Sequence, residues 1–439
     1  DFVKKLSGMF SIALYDKTNN KFYLIRDRVG IKPLFFSYLN DAIIFSSEPK
    51  AIINFPGFEK KINLSAIYSY LSFRYPTNNN EFFFQNIHKV NPGHFLKIDL
   101  SSHKIQQIPY WQISFENNEK EESEKFYLEK LDYLLNESVK SHLQSDVPVG
   151  VFLSGGLDSS LLSAIATKHH FGKLKTYSVG FKETKYNEGN KARTISKYIG
   201  SNHTEIIVEK KDFFDNLKNI VNVKCAPISI PHEYPLFALA AEMKKDIKVV
   251  LSGEGADEFF GVYSRVQKSA FDFKNKSLLN YFFKKYNWFK FEELDDIFSL
   301  EAKEKVNLDS VVEPWHQKFA ENKDKPYEQI LSLFQNHHLQ CLLDRLDIMT
   351  MANSIEARVP FLDHSIIEFI NKVPFKFKIK WKSSFHQIIS LLSNSPTFTE
   401  QNDTNKYLLR KCASRYLPLN ASKEKKLGFP LPMNDWMKD

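Results

Sequence analysis

Hydrophobic positions change their rhythm near residue 126, and that change divides the chain. In the first 115 residues they alternate in short runs. Met9 to Tyr15 alternates partly, Thr18-Asn19-Asn20 offers a turn, and Lys21 to Arg26 returns, which predicts a hairpin. Leu34 to Tyr38 and Ala42 to Phe45 predict a second pair across Asn40-Asp41, and Pro92-Gly93 marks a turn before a strand over His94 to Ile98. Ile67 to Leu71 reads as a short helix. Residues 116–125 are charged, lack glycine and carry almost no apolar side chain, so they read as a linker. From Tyr127 the period lengthens: Leu128, Leu131, Leu135 and Val139 describe one face of a helix. Strand candidates at 148–153, 175–181, 204–208 and 247–251 then alternate with helical patterns at about 158–170, 190–199 and 233–244. Strands alternating with helices predict a doubly wound parallel sheet, so the fold class is α/β behind a β-rich front. Residues 264–350, rich in aromatics, lysine and helix formers, read as a helical insertion.

The first apolar run leads into Leu153-Ser154-Gly155-Gly156-Leu157-Asp158-Ser159-Ser160. A strand, a glycine turn and a helix in that order point backbone N–H groups and a helix dipole at one spot, which suits an anion. Gly155 and Gly156 let the backbone approach closely, and Ser154, Ser159 and Ser160 add hydroxyl donors. No lysine follows the glycines, so this is not the phosphate loop of the GxxxxGK[ST] type. Asp158 would repel a phosphate unless a cation such as Mg²⁺ lay between them.

A second apolar run, Val249-Val250-Leu251, ends in Ser252-Gly253-Glu254-Gly255-Ala256-Asp257-Glu258. Ligands of such sheets sit at the carboxyl ends of strands, where both loops are expected. Ser252 and Gly253 are candidates for nucleotide contact, Asp257 for a shared Mg²⁺ with Asp158, and Glu254 for a general base or charge stabiliser. Tyr177-Ser178-Val179-Gly180-Phe181 ends the second strand beside the first loop, where its backbone either recognises adenine or is an ordinary core strand. Arg358, in Ile355-Glu356-Ala357-Arg358-Val359-Pro360, is of a type often found in structural ion pairs. Lys423-Glu424-Lys425-Lys426-Leu427-Gly428-Phe429-Pro430 places lysines before a glycine turn, and one of them is a candidate to neutralise departing pyrophosphate, with Arg358 next in line. His203, His337 and His338 show no metal-ligand spacing and read as structural or surface residues.

Composition narrows the setting. With 43% hydrophobic and 26% charged residues, the 439-residue chain is that of a globular protein of more than one domain. A formal charge of +8 with no long basic block argues against nucleic acid as a partner. Cys225, Cys341 and Cys412 form no CxxC pair and fit a reducing, cytoplasmic setting, and no apolar run reaches membrane-spanning length. Asp1-Phe2-Val3 is neither a signal peptide nor an initiator methionine, which reads as a piece of a longer protein.

The glycine loop resembles the SGGxDS pyrophosphate loop of ATP pyrophosphatases. Together with residues 251–258, 356–364 and 425–430, in that order, it is similar to the glutamine-hydrolysing asparagine synthetase family. Leu6-Ser7-Gly8-Met9-Phe10, Arg26-Asp27-Arg28-Val29-Gly30-Ile31-Lys32-Pro33-Leu34 and Ser46-Ser47-Glu48 resemble the second half of a class II glutamine amidotransferase domain. The resemblance implies residues 1–115 as the C-terminal part of that domain and 126–439 as the synthetase domain. It implies ATP and Mg²⁺ as cofactors, and aspartate with glutamine or ammonia as substrates. It implies ATP contacts at Leu153, Ser154, Val179, Ser252 and Gly253, Mg²⁺ at Asp158 and Asp257, chemistry at Glu254, pyrophosphate at Lys426 and a glutamine-side position at Ser7. The family's N-terminal cysteine nucleophile has no counterpart near Asp1, so the fragment is expected to use free ammonia. Ser7 stands where the family often has Asp or Asn, Cys225-Ala226 replaces an acidic pair, and Val262 replaces a frequent glycine. These last two departures leave another carboxylate acceptor open, a sugar acid or a β-lactam precursor. A tRNA-modifying pyrophosphatase lacks its expected cysteine pair and basic surface here. A homodimer stays open.

Overall fold

The computed structural model describes residues 2–39, 42–78, 80–115, 121–186, 189–261, 277–322, 325–392, 402–418, 421 and 431–438. The chain divides into two compact units. One comprises Asp1–Ser114, Lys224–Ser229 and Ser269–Asp344, the other Phe115–Val223, Ile230–Lys268 and Arg345–Asp439.

The first unit is built on two antiparallel sheets. β1 (Ser11–Asp16) pairs with β2 (Lys21–Arg26), which is the expected hairpin in register Ser11 to Arg26. β3 (Phe35–Leu39) and β4 (Ala42–Ser46) pair as expected, while the Asn40-Asp41 turn lies outside the described residues. The short β5 (His88–Lys89) adds to β3, and β6 (His94–Asp99) and β7 (Ile105–Pro109) extend the first sheet in the order β1-β2-β6-β7. β7, with sequence IQQIP, was not foreseen, because polar residues interrupt its apolar positions. The short helix expected over Ile67 to Leu71 runs from Leu64 to Phe73. Asn63 caps it by accepting from the Ala66 N–H at 3.2 Å.

The Arg26 to Pro33 stretch is a turn held by buried side-chain hydrogen bonds. The buried Asp27 carboxylate accepts from the backbone N–H groups of Ile31 and Lys32 at 2.9 Å, of Val29 at 3.2 Å and of Phe10 at 3.3 Å. The buried Arg26 guanidinium donates to the carbonyls of Gly30 at 2.8 Å and of Lys32 and Val90 at 2.9 Å. Backbone groups that leave the strands here would otherwise be buried without partners, so the two charged side chains complete the turn.

The described part of the insertion is helical, with helices at Leu278–Tyr286, Phe291–Ile297, Leu300–Glu304, Leu308–Ala320 and Pro326–Leu333. Their aromatic residues explain the composition noted above. Trp315 is fully buried and lies within 5.0–5.7 Å, centroid to centroid, of Phe73, Phe282, Phe283 and Tyr286. His337 stacks on Trp315 at 4.7 Å, and His338 bonds the Tyr286 hydroxyl at 2.8 Å, so both histidines are structural. Ala226 is buried in the cluster of Phe35, Ile52, Phe82 and Phe83, and Cys225 packs against it. That placement accounts for an apolar pair at those positions.

The second unit holds the parallel sheet. Its strands are β8 (Val149–Phe152), β9 (Lys175–Phe181), β10 (Asn202–Val208), β11 (Val249–Leu251) and β12 (Glu356–Arg358), in the order β10-β9-β8-β11-β12. All four pairings are parallel. The helices Leu157–His169, Gly189–Ile199 and Glu233–Met243 fall within a residue of expectation. A further helix, Lys210–Lys224, and the edge strand β12 were not foreseen. β12 reads as a charged motif in sequence. Arg358 bonds Glu356 at 2.6 Å and donates to the carbonyls of His142 and Gln144 at 2.8 and 2.7 Å. It thereby satisfies the end of the helix Glu124–His142, which makes it a structural anchor.

Replacing Asp27 by Asn tests the turn in the first unit. An amide offers one acceptor oxygen to a set of donors that now share two, and presents an NH₂ group to the others. We expect Asp27→Asn to lower stability by on the order of 2–3 kcal/mol in urea unfolding followed by tryptophan fluorescence. An unchanged midpoint would mean that the turn holds without the carboxylate.

Candidate active site

The order of the five strands places the switch in winding direction between β8 and β11. Both chemical loops leave the sheet there, at the carboxyl ends of these neighbouring strands. β8, β9 and β11 are buried along most of their length, so the loops stand on a rigid base.

After β8, the Leu153 N–H donates to the Tyr177 carbonyl at 2.8 Å, carrying the strand pairing up to the loop. Ser154 and Ser159 then bind each other. The Ser154 N–H donates to Ser159 Oγ at 3.2 Å, and the two hydroxyls lie 3.0 Å apart. Gly155 has φ +80°, and a Cβ there would sit 2.6 Å from Lys191 Cβ and 2.7 Å from the Ala192 backbone nitrogen. Glycine is therefore required for the loop to turn against the helix Gly189–Ile199. Gly156 begins the helix Leu157–His169 with no side-chain cap, so the first N–H groups of a thirteen-residue helix are open to an acceptor. Ser159 and Ser160 are buried beneath this turn.

After β11, the Ser252 N–H donates to the Arg358 carbonyl at 2.8 Å. A Cβ on Gly253 would lie 3.4 Å from both Asp158 Cβ and the Ser159 nitrogen, so the two loops are in van der Waals range. Gly255 has φ +90°, which turns the chain into the short helix Ala256–Phe260 carrying Asp257. Glu254 is ion-paired with Arg345, a partner absent from the sequence reading. The guanidinium fixes the position of the carboxylate at the loop.

Asp158 and Asp257 are brought together. Lys406 Nζ lies 2.5 Å from Asp158 Oδ2 and 2.5 Å from Asp257 Oδ1, and its side chain is only 3% exposed. Asp158 Oδ1 is buried without a hydrogen-bond partner, a free lone pair of the kind a hard cation takes. Among the described residues, no group of three or more His, Cys, Asp and Glu could hold a metal. Two aspartates can hold one only with further oxygens, and a bound polyphosphate has these.

Val179 is buried two residues beyond Tyr177, past the last pairing of β9 with β8, beside the glycine loop. His203 bonds Thr176 and Ser178 hydroxyls at 3.0 Å each and is structural. Ser7 is exposed in the first unit, between the turn Phe2–Lys5 and β1. Lys426 lies outside the described residues, as does Val262. Lys406 was missed. It stands in Asp403-Thr404-Asn405-Lys406, a stretch with no glycine and no apolar rhythm, 248 residues from Asp158.

A model of the asparagine synthase family matches residues 130–439, and one of a glutamine amidotransferase domain matches residues 1–111. The chain belongs to the asparagine synthase family. Asparagine synthetase [glutamine-hydrolyzing] 1 of Bacillus subtilis is 31% identical over 466 residues, covering 99% of this chain and 69% of that protein. Asparagine synthetase [glutamine-hydrolyzing] 3 of the same organism is 31% identical over 409 residues, covering 86% and 63%. A putative asparagine synthetase [glutamine-hydrolyzing] of Mycobacterium bovis is 28% identical over 477 residues, covering 100% and 69%. The chain thus spans about two thirds of the length of these relatives. The solved NMN synthetase of Francisella tularensis covers half of this chain and 97% of its own at 14% identity, with a TM-score of 0.26 that is too low to bear on function.

The glycine loop makes a direct prediction. We expect Gly155→Ala to lower thermal stability by about 1–3 kcal/mol, because the new methyl meets backbone and the residue keeps a left-handed φ. Gly156→Ala has φ −71° and meets nothing closer than Ser154 Oγ at 3.3 Å, so it should be nearly neutral in the same measurement. Equal effects would contradict the packing of this loop against Lys191 and Ala192.

Proposed function

We propose that the chain carries out the ATP-dependent conversion of aspartate to asparagine, with nitrogen from glutamine or ammonia. The observation that carries this reading is the pair Asp158 and Asp257, held 2.5 Å from one ammonium beside a glycine loop with open N–H donors and no lysine of its own. That arrangement suits attack at the α-phosphate with pyrophosphate as leaving group. Family membership and relatives that cover nearly the whole chain support aspartate as the acceptor.

In this reading the loop that carries Ser154, Gly155, Gly156, Ser159 and Ser160 cradles the polyphosphate, and Leu153, Val179, Ser252 and Gly253 flank the nucleoside. An oxygen of the aspartate side-chain carboxylate attacks the α-phosphorus, the bond to the α–β bridging oxygen breaks, and pyrophosphate leaves. Ammonia then attacks the acyl carbon of the β-aspartyl adenylate, loses a proton, and AMP departs. Glu254, positioned by Arg345, takes the proton or stabilises the ammonium that forms as nitrogen attacks. Asp158 and Asp257 would hold Mg²⁺, which when bound neutralises charge on the phosphates. Lys426 and Ser7 keep their expected places, at pyrophosphate and on the glutamine side, on sequence resemblance. Three free cysteines fit a cytoplasmic setting, and among the described residues no helix is long and apolar enough to cross a membrane.

Purified protein supplied with ATP, Mg²⁺, ammonia and one carboxylic acid at a time should release pyrophosphate and AMP with aspartate and form asparagine. Release driven by a different acid, and not by aspartate, would overturn the acceptor. In the same assay Glu254→Gln should keep nucleotide binding but lose amide formation by on the order of a hundredfold. Wild-type turnover by that variant would remove Glu254 from the chemistry.

A further inference from the structure

Lys406 is held in place by more than its two anions. Its backbone adopts φ 48° and ψ 38°, a left-handed conformation that costs a lysine free energy, at the start of the helix Tyr407–Ala413. Neighbouring contacts enforce it. The Arg410 N–H donates to the Lys406 carbonyl at 2.8 Å, and the Arg410 guanidinium bonds the Asn405 carbonyl and side-chain oxygen, each at 2.9 Å. Asn405 and Lys406 are themselves buried. The chain thus spends backbone strain to aim one ammonium at one point.

That point is between the two carboxylates assigned above to the metal. A buried ammonium needs anions and two facing carboxylates need a cation, so the trio is stable as it stands. A divalent ion would bind the same oxygens at about 2.0–2.1 Å. It cannot share their midpoint with an ammonium 2.5 Å from each. Without nucleotide, metal entry would drive Lys406 from both of its anions and leave a net positive charge among side chains that are at most a fifth exposed. With nucleotide, the polyphosphate brings the anion that the displaced ammonium needs.

We propose that Lys406 is a resident counter-cation of the Asp158–Asp257 pair, which makes metal binding at that pair conditional on bound nucleotide. The proposal rests on the assignment of these two aspartates as metal ligands. Lys406 positions the carboxylates before substrate arrives, prevents their mutual repulsion, and keeps free divalent ions out of the unloaded site.

The test uses Mn²⁺ as probe and the full chain, with free Mn²⁺ read by electron paramagnetic resonance. Wild-type protein should take up Mn²⁺ in an Asp158-dependent manner only when α,β-methylene-ATP is present. Lys406→Met keeps the apolar stem and removes the charge, and should bind Mn²⁺ without nucleotide at least about tenfold more tightly than wild type. Mn²⁺ alone should raise the melting temperature of Lys406→Met and not that of wild type, and adding Asp158→Asn to the variant should abolish the gain. Equal Asp158-dependent uptake by wild type with and without the analogue would overturn the role of Lys406 while leaving the metal assignment intact. This arm needs only Asp158→Asn beside wild type, so it decides the matter even if Lys406→Met fails to fold. A folded Lys406→Met that binds Mn²⁺ no better than wild type would overturn the proposal as well. No Asp158-dependent uptake by wild type under either condition would overturn the metal assignment itself, and the proposal with it.

Discussion

Two carboxylates from the ends of adjacent parallel strands meet on one buried ammonium, and the geometry of the site follows from that contact. Asp158 begins the helix after β8, and Asp257 lies in the short helix after β11. Like charges brought so close on side chains only a fifth exposed repel, so the loops need a cation between them to keep their arrangement. Lys406 meets that need from a distant part of the chain, and the left-handed backbone at its position is the local cost. The glycines serve the same end. Gly155 lets the first loop turn against the backbone at Lys191 and Ala192, and Gly253 lets the second loop touch Asp158.

The parallel sheet was legible because β8 and β11 are buried along most of their length and so appear as short runs without polar side chains. The two loops were legible because small residues and acids follow such runs directly. β12 was not, since Glu356 and Arg358 spend their charges on each other and on the end of a neighbouring helix. β7 was hidden by its two glutamines, and the helix Lys210–Lys224 by a surface rich in lysine and asparagine.

Lys406 and Arg345 were illegible for a different reason. Each acts through partners far away in the sequence, and neither lies in a stretch with a distinctive local pattern. A left-handed lysine leaves no trace in composition or periodicity. By contrast, Arg26 and Asp27 stand in a motif that sequence resemblance picks out at once, yet in the structure they bind backbone groups of their own turn. A motif can thus mark the family while its charges serve folding.

The most direct measurement of the central claim is a crystal structure of the protein with Mg²⁺ and α,β-methylene-ATP. The account predicts the ion bound by Asp158, Asp257 and phosphate oxygens, the polyphosphate on the loop at 154–160, and Lys406 Nζ moved from between the carboxylates onto a phosphate. A nucleotide bound elsewhere, or Lys406 still bridging both aspartates with the ion on other ligands, would contradict it.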